Sequence, residues 1–180
     1  MSTTQLMTIE EFAEISEPGR FDLMRGKLVR MSPAGFRHGV YASRIATALS
    51  VHAQASSLGE TPSSDTGYIV QSDPPVVLCP DTSFVLAEHL PNELPEGFLD
   101  RHPDIAVEVV SPSDRLADVS AKVTEYLGAG TSLVWVVEPT RKTVTAYRAD
   151  RSARLLIEGD ALDGGDVLPG FSLPLADIFR

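Results

Sequence analysis

The sequence predicts an α/β protein with a mixed central β-sheet flanked by helices. Residues 105–111 and 133–137 are apolar runs, and between them lies a helical pattern that ends near Ala129. Strand, helix and strand in this order form a βαβ unit, and because both runs are apolar, we expect the strands to be parallel, central and covered on both faces. Alternating runs before and after this unit predict antiparallel strands.

The chain begins with a pattern typical of a short helix. Thr8 followed by Glu11 forms a capping box, so a helix is expected over residues 8–16. The Pro-Gly pair at residues 18–19 is expected to end it.

Two alternating runs follow, residues 20–24 and 27–31, with Arg25 and Gly26 as the expected hairpin turn. Asp22 lies on the first of these strands. Taken alone, this position suggests a cross-strand partner for a nearby arginine.

The middle of the chain combines a long helix with a loop. Residues 36–57 have apolar side chains at moderate helical periodicity, and His38 falls in the first turn. His38 could contact a phosphate or the site, although a histidine at a helix start more commonly makes a local hydrogen bond. Residues 59–75 predict a loop that includes a strand at residues 68–71.

Asp81 lies between two strand patterns, residues 76–79 and 83–87, which predicts a carboxylate exposed at the bend of a strand pair. A Pro-Asp pair in isolation is more often a turn cap. A functional role is favoured by Glu108, a second acid that stands among Ile, Ala and Val, where an unpaired charge is costly. Asp104, in another Pro-Asp pair, ranks lower because it lies about 13 Å from Glu108 along the same strand.

The helix after Glu108 carries Lys122, and Ser113 is expected to cap this helix. Glu108 lies roughly 10 Å below the end of its strand at about 3.3 Å per residue. A helix that starts near Asp114 and runs back rises about 12 Å before it reaches Lys122. Lys122 therefore returns to the level of Glu108.

A helical wheel places Lys122 at the edge of an apolar face, beside Arg115 and Asp118. The apolar face comprises Leu116, Val119, Val123, Tyr126 and Leu127. A lysine at such an edge can bend over the sheet towards Glu108, or it can extend into solvent.

The rest of the chain predicts further sheet and surface structure. Trp135 alternates with valines and is expected in the core. Residues 143–148 and 154–158 are expected to be antiparallel strands, and residues 168–175 a short extended tail. Residues 89–103, which contain three prolines, predict a surface loop that could border a substrate.

Length and composition suit one domain over residues 1–180. Of the 180 residues, 43% are hydrophobic, enough for a sizeable core. No apolar stretch approaches the ~20 residues of a membrane span, and the N-terminus lacks the pattern of a secretory signal, so a cytoplasmic protein is expected. The single cysteine, Cys79, excludes an internal disulfide and is expected to be a small buried hydrophobic residue.

The charges are unevenly distributed. A formal net charge of −10 argues against a protein that coats nucleic acid, because phosphate neutralisation needs Lys and Arg. From Arg20 to Arg44, however, six basic residues accompany only one acid, whereas residues 46–100 contain no Lys or Arg. One face could therefore approach a phosphate backbone, unless these charges are simply scattered over a solvated surface.

Asp81, Glu108 and Lys122 are the residue types that metal-dependent phosphodiester cleavage requires. Two carboxylates can hold a hard cation, which polarises a phosphate and acidifies a water, while a lysine offsets negative charge on the attacking or pentavalent oxygens. Oxygen ligands without a histidine or cysteine cluster favour Mg²⁺ or Mn²⁺ over Zn²⁺. The sequence therefore predicts a nuclease.

The chain also resembles a known family along nearly its whole length. The matching positions are Met7-Thr8-Ile9-Glu10-Glu11-Phe12, Phe21 through Val29, His38, Pro80-Asp81, Pro103 through Glu108 to Ser113, Lys122, Tyr126, Gly130, Trp135 and Leu168-Pro169-Gly170. They resemble the bacterial Uma family of putative restriction endonucleases, in the PD-(D/E)XK nuclease superfamily. The variant concerned carries its lysine on the following helix, and the usual lysine position is here Val110.

Two positions depart from the pattern of this family. Asp22 stands where a glutamate is usual, which keeps a carboxylate on a shorter arm, and Lys27 stands where an acid is common. The resemblance implies that Asp22 adds a further acid to the metal site. It also implies a restriction-endonuclease-like fold and a Mg²⁺-dependent or Mn²⁺-dependent endonuclease acting on DNA.

The candidate residues are Asp81, Glu108 and Lys122 for catalysis, Asp81, Glu108 and Asp22 for the metal, and His38, Arg37 and Arg115 for substrate contacts. Two other functions fit the same residues. A catalytically silent nucleic-acid-binding or assembly domain could keep the fold, and a metal-dependent hydrolase could act on a small phosphoester. A homodimer is expected, because one domain with a small basic face is poorly suited to hold both strands of a duplex.

Overall fold

The structure is a computed structural model that describes residues 6–15 and 19–180. Within these ranges it has a four-stranded, a six-stranded and a two-stranded sheet and four α-helices. The predicted α/β class, with a mixed central sheet flanked by helices, is confirmed. No helix in this part of the chain is long and apolar enough to cross a membrane.

The helices and strands follow one another as α1 (Ile9–Ala13), β1 (Arg20–Met24), β2 (Lys27–Met31), α2 (Phe36–Ser56), β3 (Gly59–Glu60), β4 (Tyr68–Ser72), β5 (Pro75–Leu78), β6 (Thr82–Leu86), β7 (Ile105–Val109), α3 (Leu116–Ala129), β8 (Leu133–Glu138), β9 (Thr143–Arg148), β10 (Ala153–Leu156), β11 (Ala161–Gly164), β12 (Leu168–Pro174) and α4 (Leu175–Phe179).

The capping box predicted at the first helix is present. Thr8 N–H donates to Glu11 Oε2 at 2.9 Å, and Glu11 N–H donates to Thr8 Oγ1 at 3.2 Å. These two bonds satisfy donors that the first turn of a helix leaves free. The predicted end of this helix involves residues 16–18, which lie outside the described residues.

The four-stranded sheet contains the predicted hairpin and has the order β2-β1-β5-β4. Arg25 and Gly26 join β1 to β2 with φ values of 51° and 75°, the left-handed pair that a two-residue hairpin turn requires. β4 is the strand expected within the 59–75 loop, and β3 is a further short strand there that was not predicted.

The six-stranded sheet has the order β10-β9-β8-β7-β6-β3. β7 and β8 are parallel neighbours at its centre, and α3 connects them, so the predicted βαβ unit is confirmed. β9 and β10 continue the sheet as antiparallel strands, also as predicted. Trp135 on β8 is fully buried and stacks on Phe171, with 5.8 Å between ring centroids.

The two strands on either side of Asp81 do not pair with each other, which corrects the sequence-based prediction. β5 pairs with β1 and β4, whereas β6 pairs with β7 and β3. The chain crosses from the four-stranded to the six-stranded sheet at Pro80 and Asp81. This crossing places Asp81 between the sheets rather than at an exposed hairpin bend, and its side chain is buried.

Helices cover both faces of the six-stranded sheet. α2 packs on one face, where Ile45 and Leu49 join the largest apolar cluster. α3 packs on the other face and also contacts the four-stranded sheet, through a cluster that includes Val123 and Tyr126. Glu108 lies on this second face, because its neighbours Val107 and Val109 both point into the first cluster.

The start of α3 differs from the prediction in two respects. Arg115, not Ser113, is the residue before the first helical position, and no side chain caps it; the Ser113 hydroxyl bonds that of Ser111 instead. Leu116, expected on the apolar face, is 77% exposed. A helical side chain lies over the turn that precedes it, and before Leu116 that turn is the loop of residues 110–115, part of which lines an open cleft.

The C-terminal residues form more than the extended tail that was predicted. β12 pairs with β11 in an antiparallel hairpin, and α4 follows it. Phe171 and Ile178 from this unit pack into the cluster around α2. Burial of these apolar side chains explains why the segment is folded back onto the domain.

Candidate active site

Asp22, Asp81, Glu108 and Lys122 come together at the junction of the two larger sheets. Asp22 lies on β1, Glu108 on β7 and Lys122 on α3, and Asp81 immediately precedes β6. Their exposed fractions are 1%, 7%, 7% and 5%, in the order Asp22, Asp81, Glu108 and Lys122. Four charged side chains this well buried need partners, because an isolated buried charge is costly.

Lys122 lies between two carboxylates. Its Nζ donates to Glu108 Oε2 at 2.7 Å and lies 3.1 Å from Asp22 Oδ2. Burial by itself lowers the pKa of Lys122, but the charges of Glu108 and Asp22 outweigh that effect and raise it. Of the two alternatives for this lysine, the one in which it bends over the sheet towards Glu108 is observed.

Glu108 is also held by a residue that sequence reasoning assigned only to the core. Tyr126 donates its hydroxyl to Glu108 Oε1 at 3.0 Å and is fully buried. Burial raises the pKa of Glu108 to about 7, against the attraction of Lys122 and with added repulsion from Asp81 and Asp22. Tyr126 follows Lys122 by one helical turn, and that spacing on α3 could have marked it from the sequence.

Asp22, on β1, binds the backbone directly after β5. Its Oδ1 accepts the backbone N–H of Cys79 at 2.8 Å, while Oδ2 faces Lys122. The expected pairing with an arginine is therefore replaced by pairing with Lys122. Cys79 itself is half-buried, and burial raises the pKa of its thiol to about 12.

Asp81 is bound by three donors. Its Oδ2 accepts the backbone N–H of Val109 at 2.8 Å and lies 3.0 Å from His38 Nε2, and its Oδ1 accepts Arg20 Nη2 at 3.0 Å. Burial raises the pKa of Asp81, but the contacts with His38, Val109 and Arg20 together lower it below its ordinary value. Val109 follows Glu108 on β7, so this bond holds the two acids beside one another.

His38 and Arg20 form the outer layer of the site. The bond to Asp81 raises the pKa of His38, and Arg20 also pairs with Asp65. The structure therefore places His38 at the site, one of the two alternatives that its sequence position allowed. Arg20 was missed as a site residue, although it shares a face of β1 with Asp22 because the two are two residues apart on a strand.

Two adjoining cavities give access to these side chains. A cavity of about 260 Å³ lies between the β1-β2 hairpin and α3 and is lined by Asp22, Glu108 and Lys122, with Asp114 and Arg115 at its side. A second cavity of about 310 Å³ is lined by Asp81, Arg20, His38 and Asp65. Val109 lines the first cavity and donates to Asp81, which lines the second.

Of the remaining candidates for substrate contacts, Arg115 is exposed and lines the first cavity. Arg37 is exposed and lines neither cavity. Asp104 has a different environment, since its carboxylate accepts Leu86 N–H at 2.9 Å and lies 2.8 Å from His89 Nδ1. These contacts hold the turn after β6.

The donor chemistry fits a hard divalent cation. No group of three or more His, Cys, Asp and Glu side chains among residues 6–15 and 19–180 is arranged as a metal cluster. Mg²⁺, however, is commonly held by only one or two carboxylates together with waters and substrate phosphates. Asp81 and Glu108 supply two such carboxylates at neighbouring positions, and both offer oxygen only.

A family model described as Uma2, putative restriction endonuclease, matches residues 9–176. A solved structure, that of a putative nuclease belonging to DUF820 from Anabaena variabilis ATCC 29413, superposes with a TM-score of 0.86 at 18% sequence identity. The match covers 96% of this chain and 97% of that chain and shows a shared fold. No protein with a curated description matches the chain.

Proposed function

Because the chain belongs to the Uma2 family of putative restriction endonucleases, we propose that it is a Mg²⁺-dependent endonuclease that hydrolyses phosphodiester bonds of DNA. The observation that carries the proposal is the position of Lys122 Nζ, which lies 2.7 Å from Glu108 and 3.1 Å from Asp22 in a buried cleft. A lysine that only neutralises two buried acids does not need a cavity beside it, whereas a lysine that contacts a substrate phosphate does. Lys122 lines the cavity of about 260 Å³.

Asp81 and Glu108 are the residues that would hold the cation, and Asp22 lies beside Lys122 as a further acid of the site. A bound Mg²⁺ or Mn²⁺ would supply Lewis acidity to the phosphate and would lower the pKa of a bound water. The two acids are already fixed by donors of the chain, Val109 on Asp81 and Tyr126 on Glu108. Such outer contacts orient ligands and support their affinity for a metal.

Lys122 is the candidate for charge stabilisation during the reaction. The carboxylates around it raise its pKa, so the ammonium stays charged across the physiological range. It can donate to an oxygen of the phosphate, where a preorganised cation is most effective as negative charge develops. His38 and Arg20 position Asp81 rather than the substrate, since both bind its carboxylate.

The competing function is a catalytically silent nucleic-acid-binding or assembly domain. One observation favours it: Asp22, Asp81 and Glu108 are each paired with a cation of the chain itself. A site that is neutralised in this way is stable without a metal. The two functions differ in whether Mg²⁺ binds and whether cleavage follows.

Supercoiled plasmid is expected to be nicked or linearised with Mg²⁺ and to stay intact with excess chelator. Mg²⁺ is also expected to raise the melting temperature of the protein, because a ligand that binds only the folded state stabilises it. Both effects should be absent in Glu108→Ala. If neither Mg²⁺ nor Mn²⁺ changes the melting temperature and the plasmid stays intact, the protein is the catalytically silent domain. If model phosphodiesters are cleaved but plasmid is not, the protein is a hydrolase of small phosphoesters.

We also expect a homodimer. Two sites related by a two-fold axis can address the two antiparallel strands of a duplex, and such dimers are the commonest soluble oligomers. Sedimentation at micromolar concentration should give about twice the chain mass of 19.4 kDa. A monomer under these conditions would contradict the expectation and would favour nicking over double-strand cleavage.

A further inference from the structure

Arg20 binds two carboxylates at the second cavity. Its Nη2 donates to Asp81 Oδ1 at 3.0 Å, and its Nε donates to Asp65. The two acids differ in exposure, since Asp81 is buried and the side chain of Asp65 is 52% exposed. One guanidinium can hold both because its N–H donors point in several fixed directions. Arg20 therefore connects a buried acid of the site to an acid at the surface.

The two oxygens of Asp81 are not equally available to a metal ion. Oδ2 takes two donors, the backbone N–H of Val109 at 2.8 Å and His38 Nε2 at 3.0 Å. A carboxylate oxygen has two lone pairs, so these two donors fill Oδ2. Oδ1 accepts Arg20 Nη2. A metal ion that binds Asp81 must therefore use Oδ1, next to the guanidinium of Arg20.

A divalent cation and a guanidinium at the same carboxylate oxygen repel each other. The repulsion is strong where the acid is buried, because water screens it little there. Arg20 can leave Asp81 without becoming an unpaired charge, since Asp65 already accepts its Nε. The second cavity, of about 310 Å³, is lined by all three side chains and gives room for this movement.

Lys122 is held in a different way. Its Nζ lies 2.7 Å from Glu108 and 3.1 Å from Asp22, and both of these acids are buried in the site. Lys122 is itself 5% exposed, so it has no partner at the surface to which it can move. Arg20, by contrast, has its second partner outside the buried group. Arg20 is therefore the cation that a metal ion can displace at low cost.

We infer that Arg20 is an internal cation that competes with the metal ion for Asp81, and that Asp65 retains Arg20 when the metal ion binds. In the structure Arg20 neutralises Asp81. A divalent cation takes over that role, and the guanidinium then pairs with Asp65 alone. The inference rests on the proposed function for the presence of a cation at Asp81. It adds that two residues outside the ligand set, Arg20 and Asp65, determine how tightly this cation binds.

The test measures binding of Mn²⁺ to the full chain without DNA. Free Mn²⁺ is quantified from its electron paramagnetic resonance signal at low salt and constant pH. Arg20→Gln is expected to bind Mn²⁺ about tenfold more tightly than the wild type, the order of effect of one hydrogen bond to a charged group. Glutamine keeps N–H donors for Asp81 but carries no charge. If Arg20 only positioned Asp81, the variant would instead bind Mn²⁺ more weakly.

Arg25→Gln is the matched control for this variant. Arg25 also pairs with an acid, since its Nε lies 2.7 Å from Glu125 Oε1, and it lines neither cavity. The control changes the net charge of the chain by the same amount as Arg20→Gln. It should bind Mn²⁺ like the wild type, because the competition takes place at Asp81 alone.

Asp65→Asn tests the role of the second partner. Without the acid that retains Arg20, Mn²⁺ should bind about threefold more weakly, the order expected for a partly exposed ion pair. Asp163→Asn is its control, because Asp163 is 55% exposed and lies 3.5 Å from Arg148. When Arg20→Gln is already present, Asp65→Asn should have no further effect, since the two residues act as a pair.

Tighter Mn²⁺ binding in Arg20→Gln than in Arg25→Gln would support the inference. Equal or weaker binding in Arg20→Gln would overturn it, as would unchanged binding in Asp65→Asn or a failure of Mn²⁺ to bind any of the proteins. The proposed function fails separately. If Arg20→Gln gains Mn²⁺ affinity but the wild type does not cleave DNA, the inference stands without the nuclease. If the wild type cleaves DNA and Arg20→Gln binds Mn²⁺ more weakly, the nuclease stands without the inference.

Discussion

Glu108→Gln is expected to reduce Mg²⁺-dependent cleavage by about three orders of magnitude while the protein stays folded. Loss of an outer partner of a metal ligand typically costs about 10–100-fold, and loss of the ligand itself should cost more. An amide keeps the shape of the side chain but carries no negative charge for the cation. The rate is measured on labelled DNA with saturating Mg²⁺.

Folding should change little in Glu108→Gln for reasons visible around the residue. Burial raises the pKa of Glu108 to about 7, so its negative charge is costly near neutral pH. The amide oxygen can still accept from Tyr126 or Lys122, and Lys122 keeps Asp22 at 3.1 Å. The free energy of unfolding should therefore change by no more than about 1–2 kcal/mol, measured by urea denaturation.

Glu125→Gln is the matched control. Glu125 is also a glutamate paired with a cation, since its Oε1 accepts Arg25 Nε at 2.7 Å, and it lies on α3, the helix that carries Lys122. It does not line the cavity over Glu108. This variant should cleave at the wild-type rate. If Glu108→Gln cleaved within threefold of its control, Glu108 could not be a metal ligand.

The sequence could predict those parts of the site that depend on regular geometry. The rise per residue of a strand and of a helix was enough to bring Lys122 level with Glu108, and the observed contact is 2.7 Å. The hairpin turn at Arg25 and Gly26 followed from local backbone preferences, which do not depend on the rest of the fold.

Other parts of the site depend on which strands pair, and that is a property of the whole chain. Asp81 was placed in a strand pair, but the sheets separate at that point, so its partners come from β1, α2 and β7 rather than from a hairpin. Leu116 matched the apolar periodicity of α3, yet the turn before this first helical residue is a loop that lines an open cleft, so the side chain is exposed. Arg20 and His38 could be assigned to Asp81 only once the topology was known.

Lys122→Met is expected to reduce cleavage by about two to three orders of magnitude, comparable to removal of one preorganised donor from a charged transition state. Methionine keeps the apolar stem of lysine and removes only the ammonium. The measurement is the single-turnover rate on labelled DNA with Mg²⁺. Lys142→Met, in the exposed turn between β8 and β9, makes the same replacement away from the cleft and should cleave normally.

Lys122→Met should also lower the free energy of unfolding, and by more than the same replacement of a lysine at the exposed edge of a helix. A surface lysine could be replaced at a cost within about 0.5 kcal/mol. Lys122 is 5% exposed and neutralises both Glu108 and Asp22, so its removal should cost about 3–5 kcal/mol. Without the ammonium the pKa of Glu108 rises further, and protonation at low pH relieves the unpaired charge. The loss should therefore be larger at pH 8 than at pH 5.

Combining the replacement with Glu108→Gln separates the two effects of Lys122. The double variant removes one of the two unpaired carboxylates, so it should recover part of the stability that Lys122→Met loses, while cleavage stays at least as low as in Lys122→Met. Urea denaturation of the wild type, Lys122→Met, Glu108→Gln and the double variant gives the coupling energy between Lys122 and Glu108. Undiminished cleavage by Lys122→Met, at whatever stability, would show that another cation acts on the phosphate and that the buried lysine serves only to neutralise the two acids.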